Sequence, residues 1–112
     1  MAVQLRSKIF EGSLPGPHVL ITGGVHGDEF EPLAAIRQLA PVLAENIQRG
    51  KVTLVPCVNE EAFLLGRRCA SDGLDLARTC PGRHDGSATE QVAAVLSELI
   101  RDADYYIDLH TG

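Results

Sequence analysis

Three groups of residues in this chain have the types and spacing to do chemistry. The first is Gly23-Gly24-Val25-His26-Gly27-Asp28-Glu29, directly after a short apolar run. His26 and Glu29 are three residues apart, so on the first turn of a helix they would share a face and could hold one metal ion. The second is Asp108-Leu109-His110, which closes another apolar run far along the chain. In open α/β sheets, ligands bind beyond the carboxyl ends of the strands. If both runs are strands, the two segments can meet there. Two histidines and a glutamate make a three-ligand zinc site with its fourth position left for water, the arrangement of catalytic rather than structural zinc. Zinc lowers the pKa of such a water from about 15.7 to about 7. Taken singly, His-x-x-Glu and Asp-x-His also arise by chance.

The third group is a loop. Between residues 67 and 84 stand Arg67, Arg68, Arg78 and Arg83 against only Asp72 and Asp75, in a chain whose net charge is −5. A locally basic pocket suits a small anionic substrate, because the planar guanidinium fork binds carboxylates through two hydrogen bonds. The competing reading is a solvated, salt-bridged loop. Phosphate binding by Gly23-Gly24 ahead of a helix is a further idea. The glycine spacing matches neither G-x-G-x-x-G nor the P-loop.

The elements that must position these groups follow from hydrophobic periodicity. Val3, Leu5 and Ile9 alternate with polar residues, predicting a half-buried strand. Gly12 to Pro17 predicts a break, and His18 to Thr22 a buried strand. Leu33, Ile36, Leu39, Leu43 and Ile47 recur at helical steps, predicting a helix over 32–48 closed by Gly50. Lys51 to Val58 reads as a third strand, and 59–86 as a long loop. Ser87-Ala88-Thr89-Glu90 is a capping box opening a second helix, with Val92, Val95, Leu96, Leu99 and Ile100 as its buried stripe. Tyr105 to Leu109 is a last strand. The order predicts an α/β fold, a mixed and largely parallel sheet flanked by helices.

At 112 residues the chain has room for one compact domain. Its acidic balance argues against nucleic acid as a partner, and no apolar run is long enough to span a membrane. With no basic leader or apolar signal core at the N-terminus, the expected location is cytoplasmic. Cys57, Cys69 and Cys80 form no C-x-x-C pair and are expected to be free thiols.

Four segments together resemble the succinylglutamate desuccinylase/aspartoacylase family. They are Gly24-Val25-His26-Gly27-Asp28-Glu29, Asn59-Glu60-Glu61-Ala62 with Arg68 nine residues past the asparagine, Asp75-Leu76-Ala77-Arg78 with Pro81-Gly82, and Asp108-Leu109-His110-Thr111. The resemblance implies a zinc carboxypeptidase-like fold, of which this chain would be part. It implies hydrolysis of the amide bond of a small anionic N-acyl amino acid, with one Zn2+ per chain held by His26, Glu29 and His110. Arg68 would polarise the scissile carbonyl and steady the oxyanion, while Arg78 and Asn59 would bind substrate. Asp108 would support His110 or the fold around it. The chain departs from the family pattern where Ala77 stands in place of an asparagine that helps hold substrate, where Glu60 replaces a proline, and where Cys80 replaces an aromatic.

The resemblance also implies a general-base glutamate on a strand well downstream of the third ligand. Glu60, Glu61, Glu90 and Glu98 do not match that position, and the sequence stops two residues after His110. Residues 1–112 are therefore expected to be the N-terminal part of a catalytic domain, inactive or nearly so alone. A sheet cut at this point would expose a strand edge and invite homo-oligomers. The alternatives are a zinc carboxypeptidase or amidase acting on a peptide, or a catalytically incomplete module binding zinc or a small anion.

Overall fold

The computed structural model describes residues 3–112. Strands β1 (Lys8–Glu11), β2 (Leu14–Thr22), β3 (Arg49–Val55) and β4 (Tyr105–Asp108) form one sheet in the order β1-β3-β2-β4. β2 pairs in parallel with both β3 and β4, and β1 runs antiparallel on the outer side of β3. Three strands thus end on the same edge of the sheet, as the α/β reading requires. Helices α1 (Glu31–Asn46), α2 (Glu60–Leu65) and α3 (Ala88–Asp102), with one 3-10 turn at Leu76–Arg78, complete the chain.

Register shows which face each helix covers. Leu20 lies opposite Thr53 and Tyr106, and Thr22 opposite Val55 and Asp108, so all six point to one face. There Leu20 and Val55 pack with Ala93 and Leu96 of α3, and with Val25, Val58 and Leu76. On the other face, Leu54 and Ile36 of α1 line a common groove. Within α3 the buried residues are Thr89, Ala93, Ala94, Leu96 and Ser97, while Val92, Leu99 and Ile100 flank them half-buried. Small residues at the centre bring the helix close to the sheet.

Several expectations need correction. The first strand begins only at Lys8, and Ile9, expected inward, is 57% exposed. β1 is an edge strand, and Ile9 points to the α3 face beyond that helix's reach. Gly12 to Pro17 is not a clean break: β2 already starts at Leu14, and its register against β3 slips between Leu14 and His18. The slip absorbs Pro15, Gly16 and Pro17 as a bulge. α1 ends at Asn46 and is closed by Ile47, whose N–H bonds to Leu43 O, and Gly50 lies inside β3. The 59–86 stretch holds a capped helix, α2, and is not one long loop.

The capping box is formed: Glu90 N donates to Ser87 Oγ at 3.5 Å and Ser87 N to Glu90 Oε1 at 3.1 Å. Asp72 adds a second tie at the same helix end, accepting from Thr89 N at 2.8 Å and Thr89 Oγ1 at 2.7 Å. The basic segment is thereby fastened to the start of α3. All three cysteines are free. Among the described residues, no helix is long and apolar enough to cross a membrane.

Candidate functional site

β2 delivers the first segment. After Thr22 the chain turns through Gly23 to Phe30, so His26 and Glu29 lie in the turn before α1, not on its first helical turn as expected. The turn still gathers them, because Glu29 N donates to His26 O at 3.3 Å. Gly27 decides what can lie alongside. Any Cβ there would fall 2.2 Å from the carbonyl carbon of Ala62, so only glycine lets α2 pack this closely. α2 in turn is capped by Asn59, whose Oδ1 accepts from Ala62 N at 3.2 Å, and it ends at Gly66 with φ 65°. That tight end swings Arg68 beside the turn, where its carbonyl accepts from Gly27 N at 3.2 Å.

Glu29 is the hub. Its Oε2 lies 2.6 Å from His26 Nδ1, and its Oε1 lies 3.1 Å from His110 Nδ1 and accepts from Thr111 N at 2.8 Å. The two imidazole centroids are 5.1 Å apart. One ligand atom from each of His26, Glu29 and His110 can be chosen so that all lie within 4.8 Å of one another. His26 and Glu29 are buried, while His110 is open on one side. The far nitrogens are held by other carboxylates: His26 Nε2 by Asp75 Oδ1 at 2.9 Å, and His110 Nε2 by Asp108 Oδ2 at 2.6 Å.

This donor set fits a metal ion. A neutral imidazole has one N–H. With both Nε2 atoms facing carboxylates, the two Nδ1 lone pairs and the Glu29 carboxylate converge as three acceptors, which a cation must reconcile. Protons do the same job in its place. His110 is opposed by burial, but the hydrogen bond and charge of Asp108, and then of Glu29, raise its pKa. Burial would raise Glu29, and the hydrogen bonds from Thr111 N and His26 outweigh it, so its carboxyl lies below the usual range. Nitrogen and carboxylate donors with an open side are a ligand set that zinc accepts.

The arginines differ in their involvement. Arg68 is drawn in, with one guanidinium nitrogen 3.3 Å from Asp75 Oδ2 and the other 4.0 Å from Glu29 Oε2. Arg78 is 86% exposed and reaches only the rim, 4.0 Å from Asp75 Oδ2. Arg83 turns away to Asp85, 3.3 Å off. Asn59, predicted at the substrate, spends its oxygen on the α2 cap, and its buried Nδ2 has no hydrogen-bond partner among the described residues.

Sequence reasoning underrated Asp75, which it counted only as a loop acid and a family match. In the structure it joins His26 to Arg68 and accepts from Ala77 N at 3.0 Å, starting the 3-10 turn. Burial opposes ionisation of Asp75, but His26, Ala77 N and the Arg68 charge lower its pKa. An aspartate between two arginines was visible in the sequence. Its contact with a histidine 49 positions away was not.

A His–Glu–His cluster at the carboxyl ends of parallel strands, with an arginine beside it, defines an α/β protein of the zinc carboxypeptidase-like fold. The succinylglutamate desuccinylase/aspartoacylase catalytic domain family matches residues 15–112, and the chain belongs to it. It is 44% identical over 100 residues to the N-alpha-acetyl-L-2,4-diaminobutyric acid deacetylase of Halomonas elongata, covering 87% of this chain and 29% of that protein. It is 32% identical over 112 residues to the succinylglutamate desuccinylase of Burkholderia thailandensis, covering 84% and 30%. An aspartoacylase family protein of Mesorhizobium loti superposes with a TM-score of 0.88 at 36% identity, over 96% of this chain and 35% of that one. The chain spans about a third of the length of these relatives.

Proposed function

We propose that residues 1–112 are the N-terminal, metal-holding part of a zinc-dependent hydrolase that cleaves the amide bond of an N-acyl amino acid. The observation that carries this reading is the convergence of His26, Glu29 and His110 on one point. The deacylases among the relatives support the reaction class, and the diaminobutyric acid deacetylase makes an N-acetyl amino acid the first substrate to try.

When bound, zinc supplies Lewis acidity toward the acyl carbonyl and toward water. His26, Glu29 and His110 would hold it, with Asp75 and Asp108 fixing the two rings. Arg68 offers N–H donors to the carbonyl oxygen as negative charge develops there. Arg78, exposed at the rim, anchors the substrate carboxylate. Asn59 serves the same pocket through the cap that fixes α2 and the Arg68 turn. Among the described residues, the carboxylates of the cluster are all engaged: Glu29, Asp75 and Asp108 each use both oxygens. None is free to move the proton, so the chain alone should turn over substrate very slowly.

Metal analysis tests the site. The purified chain should retain one zinc, and His26→Ala and His110→Ala should each lose it. Stoichiometric zinc surviving both changes would overturn the ligand set. Assays of the chain with excess zinc on N-acetyl-2,4-diaminobutyrate and N-succinylglutamate test the missing base, and rapid turnover of either would refute it. Cleavage of C-terminal peptides instead would point to a carboxypeptidase or amidase.

A further inference from the structure

The support of His110 does not stop at Asp108. Thr22, at the end of β2, lies opposite Asp108 in register on the same sheet face and is fully buried. Its Oγ1 donates to Asp108 Oδ1 at 2.8 Å. Tyr106, two residues before Asp108 on that face, places its hydroxyl 2.9 Å from the same Thr22 oxygen. A threonine hydroxyl has a single proton. Since that proton goes to the carboxylate, the Tyr106 hydroxyl must donate to Thr22. Burial is the main reason the Tyr106 phenol is pushed up to about 12; the Asp108 charge adds to this and the Thr22 hydrogen bond opposes it. It therefore keeps its proton throughout the neutral range. Every bond in the series then has one possible direction: Tyr106 to Thr22, Thr22 to Asp108, and His110 Nε2–H to Asp108 Oδ2.

We propose that Thr22 and Tyr106 are positioning residues for the candidate metal centre, locking the Asp108 carboxylate so that His110 carries its proton on Nε2 and turns Nδ1 toward Glu29. This rests on the reading of His110 as a ligand. Neither residue touches the cluster of His26, Glu29 and His110 directly. They act through Asp108, whose Oδ1 takes its hydrogen bond from Thr22 and whose Oδ2 faces His110. Outer partners of this kind typically change metal affinity by about 10–100-fold when removed.

The test uses the 112-residue chain with Thr22→Val, Thr22→Ser and Tyr106→Phe. Two readouts are needed: zinc affinity by competition with a chromophoric chelator, and the His110 tautomer from 15N chemical shifts of the metal-free chain at alkaline pH, where the imidazole is neutral. Thr22→Val should weaken zinc about 10–100-fold and shift neutral His110 from the Nε2–H form toward Nδ1–H. Thr22→Ser, which restores the hydroxyl, should recover both. Tyr106→Phe should give a smaller change in the same direction. Unaltered affinity and tautomer in Thr22→Val would overturn the proposal while zinc binding by the parent chain still stands. Should the parent bind no zinc, the ligand reading fails, and the tautomer of the metal-free variants still decides the positioning role. If Thr22→Val does not fold, an unchanged tautomer in Tyr106→Phe counts against the proposal.

Discussion

Asp75 carries more of the site than its place in an irregular segment suggests. One carboxylate fixes the ring of His26, draws Arg68 across the cluster and stands 4.0 Å from Arg78. Removing it leaves His26 Nε2 without a partner and frees Arg68 to swing into solvent. Asp75→Ala is expected to weaken zinc binding about 10–100-fold, read by chelator competition. Arg83→Ala should not, because among the described residues its guanidinium pairs only with the exposed Asp85. The two arginines near Asp75 should separate kinetically in a protein carrying the complete catalytic domain. Arg68→Ala should lower kcat by on the order of 10²–10³, as for the loss of an oxyanion donor. Arg78→Ala should act mainly on KM, because a carboxylate anchor binds ground and transition states alike. Equal effects on kcat from both would refute the assignment of separate roles.

The elements hold these residues through a few tertiary ties that a mutational series can probe. Asp72 fastens the basic segment to α3 by accepting from Thr89 N, Thr89 Oγ1 and Leu74 N. Burial alone would raise its pKa, yet these hydrogen bonds and that of Ser87 bring it down to about 2 from the usual 3.8. The folded state thus favours the ionised form. Its contribution, about 1–2 kcal/mol after allowing for partial exposure, is complete above pH 3.8 and lost as pH falls through about 2. Urea midpoints should therefore decline over that interval in the parent chain. Asp72→Ala should already be less stable at neutral pH and decline less on acidification. Gly27→Ala should cost about 1–3 kcal/mol or more, because its Cβ would strike backbone that cannot move aside. Much at this scale was legible in the sequence. The capping box announced α3 because its signal lies within four residues, and short apolar runs announced β2 through β4, although β3 spans Arg49–Val55 and not 51–58 as expected. α2 was not legible: six residues carry no helical period, and its cap, Asn59, is tied to the turn it supports only in three dimensions. The shift of β1 to Lys8–Glu11 was hidden too, because an edge strand takes its alternation from the neighbour it joins.

Across the whole molecule, the candidate residues His26, Glu29 and His110 could be picked out by type, but what brings them together depends on topology. Thr22 and Asp108 become neighbours only because β4 adds beside β2, on the side away from β3, and parallel to it. The same placement leaves a consequence at the sheet's far edge. α1 lies over β2 and β3, so on its face β4 is uncovered, and Tyr105 and Ile107 are 63% and 46% exposed. β4 has a strand neighbour on one side only among the described residues, and its other side presents unpaired backbone beside those two apolar side chains. An open edge flanked by apolar residues is a template for pairing with another chain. The net charge of −5 opposes close approach only through screened, long-range repulsion. The chain should therefore associate with itself as its concentration rises, and high salt should strengthen the association by removing that repulsion. Sedimentation velocity over a concentration series would show it. Ile107→Lys puts a charge at the centre of the edge and should return the chain to monomer with a stability change within about 0.5 kcal/mol, as expected for an exposed site. A parent chain that stays monomeric at every concentration would show that the edge is protected by some feature other than charge.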